Sequence, residues 1–438
     1  MTDPGATPPA ATPVSRQWAR EQRSISRSGQ TPPPTKKDSP TEKPPGGIRR
    51  LGRGAVVAFS LATLIFISGL VALAWDGYRT SLEIKGGTSL EAVKDPTKPG
   101  YEAQVRPMKT HLLLQTDAKG AVTDGVLISP GSRGQGGSVV FIPGSTVVQT
   151  ADGNANLNKF IATNGVEAGI AEIEKILTFA VTDGTTVTPA QWTDLLGPLG
   201  PLTIENPDAL VAVTGTNQKQ IVYAAGTLPL RPDQVGDYLT FVSDGEAEIN
   251  RLPRTQLVWE AWLKSIAADS SGAPTVTALT PVVGDEPLEI SGLVLGLSKG
   301  PVAFQTLPTQ AVSLPNTVGV KIYLPDPVGI AEMVPKVVPF PTSAFPGQRA
   351  RTRILNGTTD VGAATRAAGP VVGAGGEITV LGNASTFSVT KTTVEYHDPS
   401  RKEAADKIAA ALAVTTTQSL SLTEAYDVTV TIGSDFTG

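Results

Sequence analysis

The stretch 111-HLLLQTDAKGAVTDGVLISP-130, followed by 138-SVVFIPGSTVVQT-150, decides how the middle of the chain folds. HLLLQT (111–116) is a short apolar run bounded by polar residues, which is the signature of a strand buried on both faces. GVLISP (125–130) and SVVFIP (138–143) repeat that signature, so three buried strands are predicted in succession. Pro143-Gly144-Ser145 interrupts the last run and predicts a turn, which is either simple punctuation or the edge of a site.

Downstream the period changes. Val166, Ile170, Ile173 and Leu177 recur at helical spacing within 165–179. Thr188-Pro189 offers an N-cap and a first-turn proline for a helix carrying Trp192, Leu195 and Leu196. A third helix is predicted from about Pro253 to Ala267, and its stripe of Val258, Trp262 and Ile266 reads as core rather than as a sugar-stacking surface. IVYAAG (221–226), DYLTFV (237–242) and VAFQTLP (302–308) supply further strands. The order predicts an α/β (α+β) sandwich over 108–335, then a linker over 336–348.

Residues 349–438 form a second pattern. Strand 352–357, a small-residue helix at 362–368, strands 377–383 and 392–397, helix 400–413 and strand 427–433 give β-α-β-β-α-β. That order predicts a ferredoxin-like domain.

Upstream, 54-GAVVAFSLATLIFISGLVALAW-75 contains no charged residue. At ~1.5 Å per residue it would extend about 33 Å, enough for one bilayer crossing. Residues 1–53 hold roughly ten Lys/Arg against about four acidic residues, with Arg49, Arg50 and Arg53 beside the apolar run. The positive-inside rule therefore predicts a cytoplasmic N-terminus and extracytoplasmic domains after a single membrane pass. The Pro-rich arm 1–53 is predicted to be disordered, and 76–107 to be a membrane-proximal stalk.

Composition removes several chemistries. The chain of 438 residues has no Cys and only two His, His111 and His397, which fall in separate predicted domains. Thiol catalysis and Cys-based metal sites are excluded, and Ser-His hydrolysis or a zinc site is poorly supplied. A net charge of −4 gives no general reason for nucleic-acid binding, and the arm carries no DNA-binding element.

The last ninety or so residues, through RTRILNGTTDVGAATRAA, TTVEYHDPSRKEAADKIAAAL and DVTVTIGSDF, resemble the LytR C-terminal domain of actinobacterial envelope proteins. The middle region, roughly 108–310, resembles a degenerate LytR-CpsA-Psr domain. HLLLQTDAKGAVTDGVLI looks like that family's opening strand, acidic turn and second strand, which puts Asp124 at the acidic position with Asp117 as a neighbour. LNKFIATNGVEAGIAEIEKIL looks like the family's Asn-Ala-rich segment and helix, and INRLPRTQ (249–256) like its paired-arginine motif, here Arg251 and Arg254.

The resemblance implies transfer of a glycopolymer from a polyprenyl-pyrophosphate carrier to the cell wall. Arginines and carboxylates would hold the pyrophosphate, with Mg²⁺ or Mn²⁺ as the divalent cation, and an apolar pocket would take the lipid. Arg suits this task because its planar fork matches phosphate oxygens. The candidate ligand-binding residues are thus Arg251, Arg254, Asp124 and Asp117. Arg251 and Arg254 also admit a plain reading as charges paired with Glu246 or Glu248.

The departure is at SVVFIPGSTVV, where the family's Arg and Asp are Gly144 and Ser145. Losing one such Arg–phosphate contact costs a few kcal/mol, on the order of a hundredfold in rate. Arg133 in the nearby Gly-rich turn is a poorly preorganised substitute. The expectation is therefore a non-catalytic envelope-assembly factor, binding a lipid phosphate, a glycopolymer or partner proteins of envelope assembly. The alternative is a working phosphotransferase or pyrophosphatase on polyprenyl-pyrophosphate-linked glycans. Transcriptional attenuation conflicts with the predicted topology.

Overall fold

The computed structural model describes residues 93–438, apart from 132, 151–152, 216, 245, 275–278, 314–320 and 420–424. The expected arm, the apolar run and most of the expected stalk lie outside these residues. Among the described residues no helix is long and apolar enough to cross a membrane. Residues 91–438 form one compact unit.

In chain order the unit begins with β1 (Glu102–Gln104), β2 (His111–Thr116), β3 (Val122–Pro130), β4 (Gly137–Pro143), the hairpin β5 (Val147–Thr150) and β6 (Gly153–Asn156), then α1 (Leu157–Asn164), α2 (Val166–Leu177), β7 (Asp183–Val187) and α3 (Pro189–Leu196). Next come β8 (Leu202–Asn206), β9 (Leu210–Val213), β10 (Lys219–Tyr223), β11 (Gly226–Leu230), α4 (Pro232–Thr240), α5 (Arg251–Ala268), α6 (Ile290–Leu297) and β12 (Val302–Thr306). After β13 (Thr309–Ser313), β14 (Lys321–Pro325) and α7 (Pro327–Val337), the second half follows: β15 (Ala350–Asn356), α8 (Ala363–Gly373), β16 (Gly376–Asn383), β17 (Thr393–Tyr396), α9 (Lys402–Ala411), β18 (Thr416–Gln418) and β19 (Val428–Ile432).

The three opening strands sit together in a five-stranded sheet of order β12-β4-β3-β2-β7. Their continuous apolar character has a direct cause, because helices cover both faces. Leu112, Leu114, Leu127, Val140 and Ile142 pack toward α1, α2 and α7. Leu113, Val126, Ile128, Val139 and Phe141 pack toward α3 to α6. The second layer is filled by Trp192, Trp259 and Trp262, whose ring centroids lie 5.1–6.0 Å apart. All three tryptophans are core, as the stripe of Val258, Trp262 and Ile266 predicted for Trp262. The Thr188 capping box with Gln191 also forms as expected.

One element differs. DYLTFV was expected to be extended, but its first residues complete α4, with Pro232 in the first turn and Val235, Tyr238 and Leu239 buried at i, i+3, i+4. Gly236 sits in that helix because Pro189 approaches it; a Cβ there would stand 2.3 Å from the Pro189 Cα.

The C-terminal part keeps the six expected elements in order but inserts the short strand β18 before the last of them, and it does not form the ferredoxin-like sheet. Its strand order is β1-β16-β15-β19-β17-β18. A split β-α-β arrangement would place a strand between β15 and β16. Instead the α8 crossover returns directly, and the two strands pair in parallel with Ile354 opposite Leu381. Strand β19 takes the other side of β15, also parallel.

Two boundaries are corrected as well. The end of the expected stalk supplies β1, whose Glu102 lies opposite Gly382 on the edge of the C-terminal sheet. The expected linker is a packed seam. Val338 is fully buried, the Ala180 N–H donates to the Thr342 carbonyl (2.7 Å), and Met108 N–H donates to the Phe340 carbonyl (3.1 Å). Buried Arg349 ties the halves, donating to Thr178 Oγ1 (2.8 Å) and to the carbonyls of Gly376 and Val372. Burial pulls its pKa down to about 10. One hydrophobic core runs from Leu112 through Val334 to Val371 and Val430.

Candidate functional site

The sheet register brings the sequence candidates to one end of β3. Asp124 lies opposite Gln115 on β2 and opposite Pro143 on β4, so the acidic position and the Pro143-Gly144-Ser145 loop are neighbours. That loop is a closed turn. Thr146 N–H donates to the Pro143 carbonyl (3.1 Å), and the carbonyls of Gly144 and Thr146 accept from Asn158 N–H and Leu157 N–H at the start of α1 (2.8 Å each). Capping the free N–H groups of a helix start explains why the chain turns here. Ser145 and Thr146 are buried, and their hydroxyls have no hydrogen-bond partner.

Asp124 is 1% exposed. One carboxylate oxygen accepts from the Gln115 amide and the other from the Thr123 hydroxyl (3.2 Å). Arg251 Nη2 stands 3.9 Å from it. A carboxylate this deep is retained only with such partners. Asp117 does not join the cluster; its Oδ1 accepts the backbone N–H groups of Lys119 and Ala121, holding the β2–β3 turn.

Arg251 opens α5, as the proline-containing motif predicted, but neither arginine offers its fork to solvent. Arg251 is 4% exposed and donates to the carbonyls of Thr240 and Thr123 (3.3 Å each). Arg254 is 3% exposed; its Nη2 donates to the Phe241 carbonyl and to both Glu246 oxygens at 2.9 Å. The Glu246 pairing considered from sequence is therefore present for Arg254. The guanidinium lies 5.6 Å from the Tyr238 ring centroid, and Tyr238 Oη donates to Asn206 (2.9 Å). Burial lowers the Arg254 pKa against the opposing pull of Glu246, and burial pushes Tyr238 up to about 12. Sequence reasoning missed Tyr238 and Gln115. Gln115 ends an apolar strand, and a polar residue there was the available signal.

A cleft of about 490 Å³ opens beside Arg254, yet Asp208, Asp244 and Glu246 share its wall. Those carboxylates oppose an anionic guest. The donor set also does not fit a divalent cation: among the described residues no three acidic or histidine side chains converge, Asp117 is committed to its turn and Asp124 is sealed.

Residues 349–436 match the family model described as LytR cell envelope-related transcriptional attenuator. Residues 349–436 are therefore a LytR C-terminal domain by their match to that family model. The sequence matches none of the curated proteins with which it was compared. Among solved structures the chain is similar to TagT of B. subtilis (15% identity, 56% of this chain and 91% of that chain, TM-score 0.39). It is likewise similar to a LytR-Csp2A-Psr enzyme from Actinomyces oris (18%, 52% and 92%, TM-score 0.39) and to a transcriptional regulator from Enterococcus faecalis (16%, 52% and 84%, TM-score 0.39). Likenesses of this size say nothing about chemistry.

Proposed function

We propose that this chain is a membrane-anchored, extracytoplasmic envelope protein that serves cell-wall glycopolymer assembly as a non-catalytic binding or accessory factor. The LytR C-terminal domain and the middle-region sequence motifs support the setting. The apolar run 54–75 with its basic flank supports the anchor. The observation that carries the non-catalytic reading is the state of the paired arginines. Both are buried; Arg251 donates to the Thr240 and Thr123 carbonyls, and Arg254 Nη2 is held by the Phe241 carbonyl and Glu246, while Arg254 Nε and Nη1 have no hydrogen-bond partner. A phosphate would find both guanidiniums sealed from solvent, and in the cleft beside Arg254 it would meet Asp208, Asp244 and Glu246.

The test uses the full chain in lipid nanodiscs with a polyprenyl-pyrophosphate-linked glycan and Mg²⁺ or Mn²⁺. No release or transfer of the glycan is expected, at any pH from 5 to 8. Turnover that disappears in the Arg251→Lys variant, with the fold intact by circular dichroism, would establish the phosphotransferase or pyrophosphatase instead. Restoring the motif as Gly144→Arg with Ser145→Asp is expected to yield no activity, because both side chains would enter a closed turn against buried neighbours.

A further inference from the structure

A cleft of about 810 Å³ lies at the opposite end of the same sheet. It is walled by Arg106 and Lys109 ahead of β2, by Ser129 at the end of β3, by Ser138 at the start of β4, and by Lys336 and Phe340 from the seam between the halves. Arg106, Lys109 and Lys336 are exposed, and among the described residues none of the three forms an ion pair. No acidic side chain lines this cleft. An adjoining cleft of about 570 Å³ shares Lys109 and His111 but carries Asp183, Asp285, Glu286 and Glu289, so favourable potential for an anion is confined to the first lobe.

A second, independent feature points to a ligand. Ser129 is 1% exposed, lines the cleft, and its hydroxyl has no hydrogen-bond partner. A buried hydroxyl without a partner loses its hydrogen bond to water, and an acceptor arriving in the cleft would restore one. Ser138 stands directly opposite it in the β3–β4 register, on the same side of the sheet. Gly137 beside it has φ 146°, and a Cβ there would stand 2.3 Å from the Ser129 carbonyl oxygen.

We infer that this lobe is an oxyanion site for a phosphate group, held by Arg106, Lys109 and Lys336 with Ser129 as a hydroxyl donor. Three cations lining one cleft without a carboxylate suit a phosphate, which offers several oxygens to separate donors. The half-buried Phe340 ring lies on the same wall and can carry the apolar face of whatever bears the phosphate. The site is independent of Arg251 and Arg254, so its failure leaves the preceding section untouched.

The experiment is a calorimetric titration of the full chain in neutral phosphatidylcholine nanodiscs with inorganic phosphate and, separately, with a hexose 1-phosphate. Saturable binding is expected, weakening as salt rises from about 0.05 to 0.5 M. Tighter binding of the hexose 1-phosphate identifies a sugar-borne phosphate as the source, and equal binding identifies free phosphate. Lys109→Gln and Arg106→Gln are each expected to weaken binding about tenfold. Ser129→Ala is expected to weaken binding with the melting temperature unchanged or raised, which a purely structural serine would not do. Absence of saturable binding to both probes overturns the inference, as does binding unaffected by all three substitutions. Binding seen only to vesicles containing anionic phospholipid would show a membrane-facing surface and overturn it equally.

Discussion

Strand β3 carries polar groups at both ends, each end has buried hydroxyls without a partner, and the two differ in whether their cations are buried or exposed. At its start Asp124 is sealed among Gln115, Thr123 and Arg251, and the nearby Arg254 is clamped by Glu246. At its finish Ser129 has an unpartnered hydroxyl, beside a cleft ringed by exposed Arg106, Lys109 and Lys336. The difference teaches how to weigh a charged residue. A buried guanidinium anchored by carbonyls or a carboxylate is part of the scaffold, whatever motif it sits in. Exposed cations that converge on a concavity without counter-charges remain available to a guest.

The comparison breaks most visibly in stability. Arg254→Ala leaves Glu246 and the Phe241 carbonyl without their shared donor, and a loss of about 3–5 kcal/mol is expected in chemical denaturation. A variant as stable as the parent would show that Arg254 is not scaffold at all. Gly236→Ala should follow at about 1–3 kcal/mol, since its Cβ would meet Pro189 and push away α4, whose Thr240 carbonyl receives Arg251. At the other end, Arg106→Ala and Lys336→Ala should each change stability by no more than about 0.5 kcal/mol.

The smallest effect is a pH dependence at His111, which lies between the two clefts and faces Asp183 (3.0 Å) and Lys109. Burial lowers its pKa from 6.5, with Asp183 acting in the opposite sense. The unfolded chain therefore binds the proton more readily than the folded one, and stability falls as pH drops below 6.5 toward the folded pKa. His111→Gln should flatten that limb of a stability–pH curve; an unchanged slope would assign the titration elsewhere.

Much of this was legible in the sequence, and the failures have physical causes. Local signals placed β2, β3, β4, α2, α3 and α5, because each has a period, a cap or both. The ferredoxin-like expectation failed because strand order is decided by long-range pairing, which an element list does not contain. DYLTFV misled because its apolar run satisfies two periods, while Pro232 and the spacing of Val235, Tyr238 and Leu239 already favoured helix. Strand β1 has only three residues and is defined by its partner β16. The motif reading named Asp124, Arg251 and Arg254, and the β3–β4 register sets Pro143, just ahead of Gly144-Ser145, opposite Asp124. It could not foresee that Thr240, Phe241 and Thr123 would offer their carbonyls, since backbone acceptors have no signature. The basic lobe was invisible for the same reason: Arg106, Lys109 and Lys336 converge only once the seam folds back on β2.

The two ends can be read in one spectrum. In the full chain labelled with ¹⁵N-arginine, with signals assigned through Arg106→Lys, Arg251→Lys and Arg254→Lys, phosphate is titrated while the side-chain Nε–H resonances are followed. The Arg106 resonance is expected to move saturably, with Arg251 and Arg254 fixed and slow to exchange with solvent. Movement of Arg251 or Arg254 with Arg106 unmoved would contradict the account.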